Sequence, residues 1–266
     1  MVNLTSKSDK YGVEELLQIM KLLRSPGGCP WDIEQTHASI RADMIEEVYE
    51  AADAIDRADK TDLCEELGDL LLQVVFHSQI ARESGDFDFS DVTDGICRKL
   101  ILRHPHIFAD TVVSNSDEVL DNWDRIKREE KHQQSYTETL EAVPKAFPAL
   151  MRAQKVQKRA AKAGFDWKDY SGPLQKVLEE TTELSQSLED GDALAVTEEF
   201  GDLLFSVVNL ARHIKVNSEQ ALAAATDKFI KRFAKVEELA AKNGCDMADV
   251  SDKQLDEWWE QVKHNV

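Results

Sequence analysis

Eight carboxylates stand in four i,i+3 pairs: Glu47 with Glu50, Glu66 with Asp69, Glu180 with Glu183, and Glu199 with Asp202. On a helix, residues three apart lie about 60° apart and share one face. Like charges at that spacing cost a helix a few tenths of a kcal/mol, roughly 0.2–0.5 per pair. Apolar stripes run beside the first two pairs: Leu63, Leu67, Leu71 and Val74 on one segment, Val48, Ala51, Ala52 and Ile55 on the other. The acids are therefore expected at the edge of a buried face. If the two helices pack antiparallel, four carboxylates converge, and desolvation makes that convergence costly without a counter-ion. A hard divalent cation removes the penalty, and an all-oxygen donor set selects Mg²⁺ or Mn²⁺ over softer metals. Gly68 and Gly201 fall inside the same helices, where glycine costs about 1 kcal/mol relative to alanine. Their presence predicts a close helix approach.

One such pair alone is ordinary surface charge; the duplication argues for more. Residues 65–75 read EELGDLLLQVV and residues 198–208 read EEFGDLLFSVV, identical at eight of eleven positions. Upstream, Glu46-Glu47-x-x-Glu50 matches Glu179-Glu180-x-x-Glu183 at the same offset of 133. Downstream, Lys99-x-x-x-Arg103 matches Lys228-x-x-x-Arg232 at an offset of 129. Short aromatic elements precede each set, Cys29-Pro30-Trp31-Asp32 and Gly164-Phe165-Asp166-Trp167. Two copies of one module are expected, residues 1–135 and 136–266, with the junction near Gln133–Pro148.

The elements that must hold these residues read as helices throughout. Apolar periodicity predicts helices over about 13–23, 38–57, 62–84, 90–102 and 116–132, then 148–163, 173–189, 192–215, 218–242 and 251–263. Asp62, Ser90, Ser218 and Ser251 are placed to cap four of them. No segment alternates as a strand does. The expected fold is all-α, tandem duplicated helix-bundle modules.

Composition agrees and narrows the function. Eleven glycines and six prolines in 266 residues leave few breaks in helix. The net charge of −19 disfavours nucleic acid as a partner, and a polyanion would need metal between it and this surface. Cys29, Cys64, Cys97 and Cys245 are scattered and form no C-x-x-C pair, which argues against zinc and disulfides and fits a reducing cytoplasm. Residues Met1–Lys10 lack an apolar signal core, and the apolar run Leu70–Phe76 is too short to span a bilayer.

Taken jointly, the E-x-x-E and E-x-x-D pairs on successive helices resemble the all-α nucleoside triphosphate pyrophosphohydrolases. The C-P-W-D-x-x-Q-T-H stretch at Cys29–His37, E-E-L-G-D-L-L at Glu65–Leu71 and R-H-P-H-I-F at Arg103–Phe108 resemble the MazG family in particular, over nearly the whole chain. The resemblance implies hydrolysis of an NTP to NMP and pyrophosphate with Mg²⁺, and a homodimer. By motif it implies Glu180, Glu183, Glu199 and Asp202 as metal ligands, with Glu47, Glu50, Glu66 and Asp69 as their counterparts. It also implies phosphate contacts from Lys228 and Arg232, a possible one from Lys176, and a nucleotide contact from Trp259. Glu179 or Glu198 could orient the attacking water or accept its proton. A nucleotide-sensing module with little turnover is the alternative. The second half is favoured as the working copy, because Trp259 and its terminal helix have no obvious counterpart after the first.

The remaining candidates have plainer readings. Trp31 and Trp167 could stack on a base, but tryptophans more often fill a core or an interface. His104 and His106 flank Pro105 with no Cys or His set nearby, so they are read as capping or packing a turn rather than binding zinc. Glu34-x-x-His37 has di-iron spacing but precedes the bundle helices, which carry no matching histidine. No P-loop, G-x-G-x-x-G or nucleophile elbow is present.

Overall fold

The computed structural model describes residues 10–109, 115–130, 133 and 135–263. The described residues form helices and connecting turns, with no strand among them. The chain divides into two compact units, Met1–Lys127 and Arg128–Val266.

The first unit holds α1 (Val13–Leu23), α2 (Pro30–Glu34), α3 (Arg41–Asp56), α4 (Lys60–Ser84), α5 (Phe89–Arg103), α6 (Pro105–Phe108) and the start of α7 (Ser116–Glu130). The second holds α8 (Tyr136–Glu141), α9 (Ala149–Lys162), α10 (Ser171–Asp190), α11 (Ala193–His213), α12 (Ser218–Lys242) and α13 (Asp252–Lys263), with a 3₁₀ turn at Met247–Asp249. The long helices fall within three residues of the ranges expected from periodicity. The short ones, α2, α6 and α8, were not expected: a helix of four to six residues spans too few turns to show a period. The end of the 116–132 helix, at residues 131 and 132, lies outside the described residues.

Caps shift three of the four expected starts. Asp59, not Asp62, caps α4 and accepts from the Thr61 and Asp62 amides. Asp88, not Ser90, caps α5 in a capping box with Asp91. Asn217, not Ser218, caps α12. In each case an Asp or Asn lies one to three residues upstream, and it captures the free amides of the first turn before the later residue can. Ser251 does precede α13, its hydroxyl accepting from the Gln254 amide at 3.4 Å.

Each unit positions its acids with one antiparallel hairpin. In the first, α3 and α4 pack along each other, joined through Arg57, Ala58 and Asp59. In the second, α10 and α11 do so through Gly191 and Asp192. Ala58 and Gly191 both take left-handed backbone, with φ of 54° and 71°. Ala58 and Gly191 correspond at the offset of 133, as do the helix starts Lys60 and Ala193, so the two acidic segments keep one offset across the turn.

The apolar stripes beside the acids are mostly open, contrary to expectation, although Ala51 is buried and Leu63 half-buried. Leu67, Leu71 and Val74 on α4, and Val48 and Ile55 on α3, are exposed. The core of the first unit lies further along α4, where Val75, Phe76 and Ile80 meet Met20 of α1 and Ile40. Gly68 and Gly201 face open space: a Cβ built on either meets nothing within 4 Å. Close approach within the chain is therefore not their use.

The terminal helix of the second unit does have a counterpart in the first. Trp123-x-x-Ile126-Lys127 on α7 matches Trp259-x-x-Val262-Lys263 on α13. Ile126 and Val262 are both buried, at 8% and 5% exposure. The match is hidden because the offset drifts. Pro105 ends the helix that begins at Phe89, while α12 runs on for 25 residues.

Candidate functional site

In the second unit, Glu180 on α10 and Glu199 and Asp202 on α11 bring carboxylate oxygens within 4.8 Å of one another. Glu180 is buried. The Lys176 ammonium, one turn before it, bonds Glu180 at 2.6 Å and Glu179 at 2.8 Å. That pairing holds the lysine proton more tightly than usual, mainly through Glu179 and Glu180. Burial raises the Glu199 carboxyl above its ordinary range, and Glu183, Glu180, Asp202 and Glu198 raise it further. Glu183 thus acts on this set electrostatically without joining the three converging oxygens. Glu179 and Glu198 are exposed beside it.

The first unit repeats the arrangement with Glu47 on α3 and Glu66 and Asp69 on α4, again within 4.8 Å. Burial is the largest cause raising the Glu47 and Glu66 carboxyls; Asp69 is next for Glu47, and Glu50 for Glu66. Asp43 stands where Lys176 stands in the second copy, so this cluster has no lysine at that position. A cleft of about 670 Å³ opens beside it, lined among others by Ile45, Tyr49, Glu50, Arg57 and Glu66. Arg57 is bonded to Asp53 and Asp62, which braces the hairpin turn.

Both sets suit a hard divalent ion. Oxygens around one Mg²⁺ sit at about 2.0–2.1 Å from it and so at most about 4.2 Å apart, while Ca²⁺ allows about 5 Å. The observed oxygens, within 4.8 Å of one another, fall inside the wider of these spans. The donors are all carboxylate, and burial with the neighbouring acids raises Glu47, Glu66 and Glu199, a penalty that a cation would relieve.

The basic and aromatic candidates stand on other helices. Lys228 is exposed on α12, and Arg232, one turn on, is half-buried. Trp259 on α13 is half-buried against Phe229 of α12, with ring centroids 5.2 Å apart. In the first unit Lys99 is exposed, but Arg103 is buried with its guanidinium over the Trp123 ring. Trp31 lies against Phe76 at 6.4 Å, and the Trp167 ring occupies the space a side chain at position 172 would need. Each tryptophan has one such contact, and both remain exposed. The His104 Nδ1 donates to the Leu100 carbonyl where α5 meets α6, the turn role expected of it.

Sequence reasoning missed the ties that hold the loops ahead of α3 and α10. His37 and His77 bond Nδ1 to Nδ1 at 2.7 Å with stacked rings. In the second unit Asp166 binds Arg212 and His213 at the end of α11. Arg212 is the first cause holding the Asp166 carboxyl down to about 2. The partners lie tens of residues apart, so no local spacing marks them.

Comparison with known proteins adds the following. The MazG nucleotide pyrophosphohydrolase domain matches residues 35–108 and again 170–237. A nucleoside triphosphate pyrophosphohydrolase of Escherichia coli (strain K12) is 48% identical over 254 residues, covering 94% of this chain and 97% of that protein. The nucleoside triphosphate pyrophosphohydrolase/pyrophosphatase MazG of Thermotoga maritima is 46% identical over 250 residues, covering 94% and 95%. A nucleoside triphosphate pyrophosphohydrolase of Mycobacterium tuberculosis is 39% identical over 189 residues, covering 69% of this chain and 54% of its own.

Proposed function

The chain belongs to the MazG nucleotide pyrophosphohydrolase family, and from that premise we propose that it hydrolyses nucleoside triphosphates to nucleoside monophosphate and pyrophosphate. The observation that carries this reading is the convergence of Glu180, Glu199 and Asp202 on facing helices, with Lys176 against them. The activity named for relatives that span nearly the whole chain supports it.

Glu180, Glu183, Glu199 and Asp202 would hold Mg²⁺, or Mn²⁺ in its place, with Glu47, Glu50, Glu66 and Asp69 as the second set. The metal, when bound, screens the phosphate charge and activates water for attack at the α-phosphorus. The chain's own groups do the rest. Glu198 or Glu179, exposed beside the cluster, accepts the proton of the attacking water. Lys228 and Arg232, four apart on α12, take up charge on the departing pyrophosphate. Lys176 exchanges its carboxylate partners for a phosphate oxygen, and Trp259 stacks on the base.

We assign the work to the second copy. The absence of a terminal-helix counterpart no longer supports that choice. Two differences do: Asp43 replaces the lysine in the first copy, and Arg103 is buried against Trp123. We keep the module boundary at residues 135 and 136. A cut after Lys127 would fall inside α7, whereas one near 135 falls between the end of α7 at Glu130 and the first residue of α8, Tyr136.

We also propose a homodimer in the cytoplasm, cleaning the nucleotide pool. Besides α4, helix α11 leaves Phe200, Leu204, Phe205 and Val207 exposed, an apolar area suited to a second copy. The surface charge argues against nucleic acid as a partner. No helix among the described residues is long and apolar enough to cross a membrane.

The test is pyrophosphate release from a panel of NTPs with Mg²⁺. The reading expects turnover that chelation abolishes. Metal-dependent nucleotide binding without turnover would replace it with a nucleotide-sensing module.

A further inference from the structure

We propose that each unit ties the loop ahead of its first acidic helix to its second acidic helix through a contact that includes a histidine, and that mild acid breaks the tie in the first unit and leaves the one in the second. His37 and His77 are positioning residues in the first unit, and Asp166 with His213 in the second.

In the first unit the loop before α3 is pinned to α4 by the His37–His77 contact, Nδ1 to Nδ1 at 2.7 Å, with rings 5.0 Å apart and 4° from parallel. A hydrogen bond between two such nitrogens needs one proton, and only one. The His77 Nε2 is buried and meets no partner. A bare nitrogen is tolerated there more readily than an N–H with no acceptor. This assigns the bonded proton to His77 Nδ1, with His37 accepting and carrying its own proton on Nε2.

The consequence is a pair that cannot take up acid while intact. His37 Nε2 and the shared position are already occupied. The one basic nitrogen left is the buried His77 Nε2, where a proton would have no acceptor. Protonation therefore proceeds by breaking the contact, leaving two N–H groups that repel. Other charges nearby do not compensate. Arg24, at the end of α1, is bonded to Glu83 of α4 at 2.7 Å and to the backbone carbonyls of Asp32 and Gln35. Neither imidazole has a carboxylate partner among the described residues. Burial first, and His37 second, hold the His77 pKa below the usual histidine value.

The second unit makes the corresponding tie through an ion pair. Asp166, in the loop before α10, bonds Arg212 and lies 2.9 Å from the His213 Nε2 on α11. Asp169 also faces His213. The Arg212 guanidinium bonds Asp166 and also lies 3.0 Å from the His213 Nε2, so the tie is an arginine–carboxylate pair that needs no proton on His213, and Arg212 keeps the Asp166 carboxylate ionised far into acid. At the repeat offset of 133, His37 and His77 correspond to Tyr170 and Leu210, so the second unit holds no copy of the histidine pair. Mild acid thus frees the loop ahead of α3, the helix that bears Glu47, and leaves the loop ahead of α10, the helix that bears Glu180, in place.

Amide exchange of the full chain by mass spectrometry, at about pH 7.5 and about pH 5.5 and normalised for intrinsic rates, tests this without reference to turnover. Residues 35–40 should lose about tenfold in protection at the lower pH, and residues 164–170 should keep theirs. His77→Asn, which retains a donor near the Nδ1 position, should keep the first loop protected at both values. His77→Leu should leave it open at both. Nitrogen-15 shifts of the unaltered protein should show His77 as the Nδ1–H tautomer near neutrality. An Nε2–H tautomer at His77, or equal pH responses in the two loops, would overturn the proposal.

Discussion

At the residue scale, the carboxylates and the lysine beside them decide the chemistry. Their spacing and duplication were legible, because a helix turns a three-residue interval into a shared face. What spacing could not reveal is that three oxygens converge in each unit while Glu50 and Glu183 act from further off. Nor could it reveal that Lys176 lies against Glu180. Glu199→Ala with Asp202→Ala should lower NTP turnover by at least about 100-fold, some 2.7 kcal/mol or more in the barrier, while Glu66→Ala with Asp69→Ala should leave most of it. Equal partial losses in steady-state assays would contradict a single working copy. Lys176→Ala should raise KM for the nucleotide about tenfold, near 1.4 kcal/mol, and at the same time tighten Mg²⁺ binding measured by calorimetry, since Glu180 loses its competing cation. The Asp166 carboxyl is held below its unfolded value, so its contribution is present above about pH 4 and is lost as pH falls through about 2. Asp166→Asn should cost the second unit about 1–2 kcal/mol at neutral pH in urea unfolding, and that difference should vanish in strong acid.

At the element scale, the hairpin turns show how one repeat tolerates different residues. Gly191 takes its left-handed conformation without strain, whereas Ala58 carries a Cβ in the same region, at φ 54°. Ala58→Gly should therefore stabilise the first unit by about 1 kcal/mol in chemical denaturation. A loss of stability would mean that the turn is not held as described. Gly172 is demanded by packing rather than by backbone, because a Cβ there would lie 2.0 Å from the Trp167 ring. The helices themselves were readable from periodicity. Their caps were not, because two candidate cap residues within three positions compete and only the backbone path decides between them. The α7 counterpart of α13 escaped notice for a related reason: Pro105 shortens one copy and the register of the repeat slips.

At the scale of the whole molecule, the fold class and the duplication were readable from sequence, and the burial of its apolar stripes was not. A sequence marks a face as apolar without saying what covers it. Leu67, Leu71, Phe200 and Leu204 remain open in the single chain, and the proposed covering is a second copy. Everything proposed at the smaller scales serves one reaction, and the position of bond cleavage tests it most directly. Turnover of an NTP with Mg²⁺ in ¹⁸O-enriched water, followed by mass spectrometry of the products, reads which phosphorus was attacked. The account predicts the label in nucleoside monophosphate, with pyrophosphate unlabelled. Label in inorganic phosphate with release of nucleoside diphosphate, or label in pyrophosphate, would contradict it.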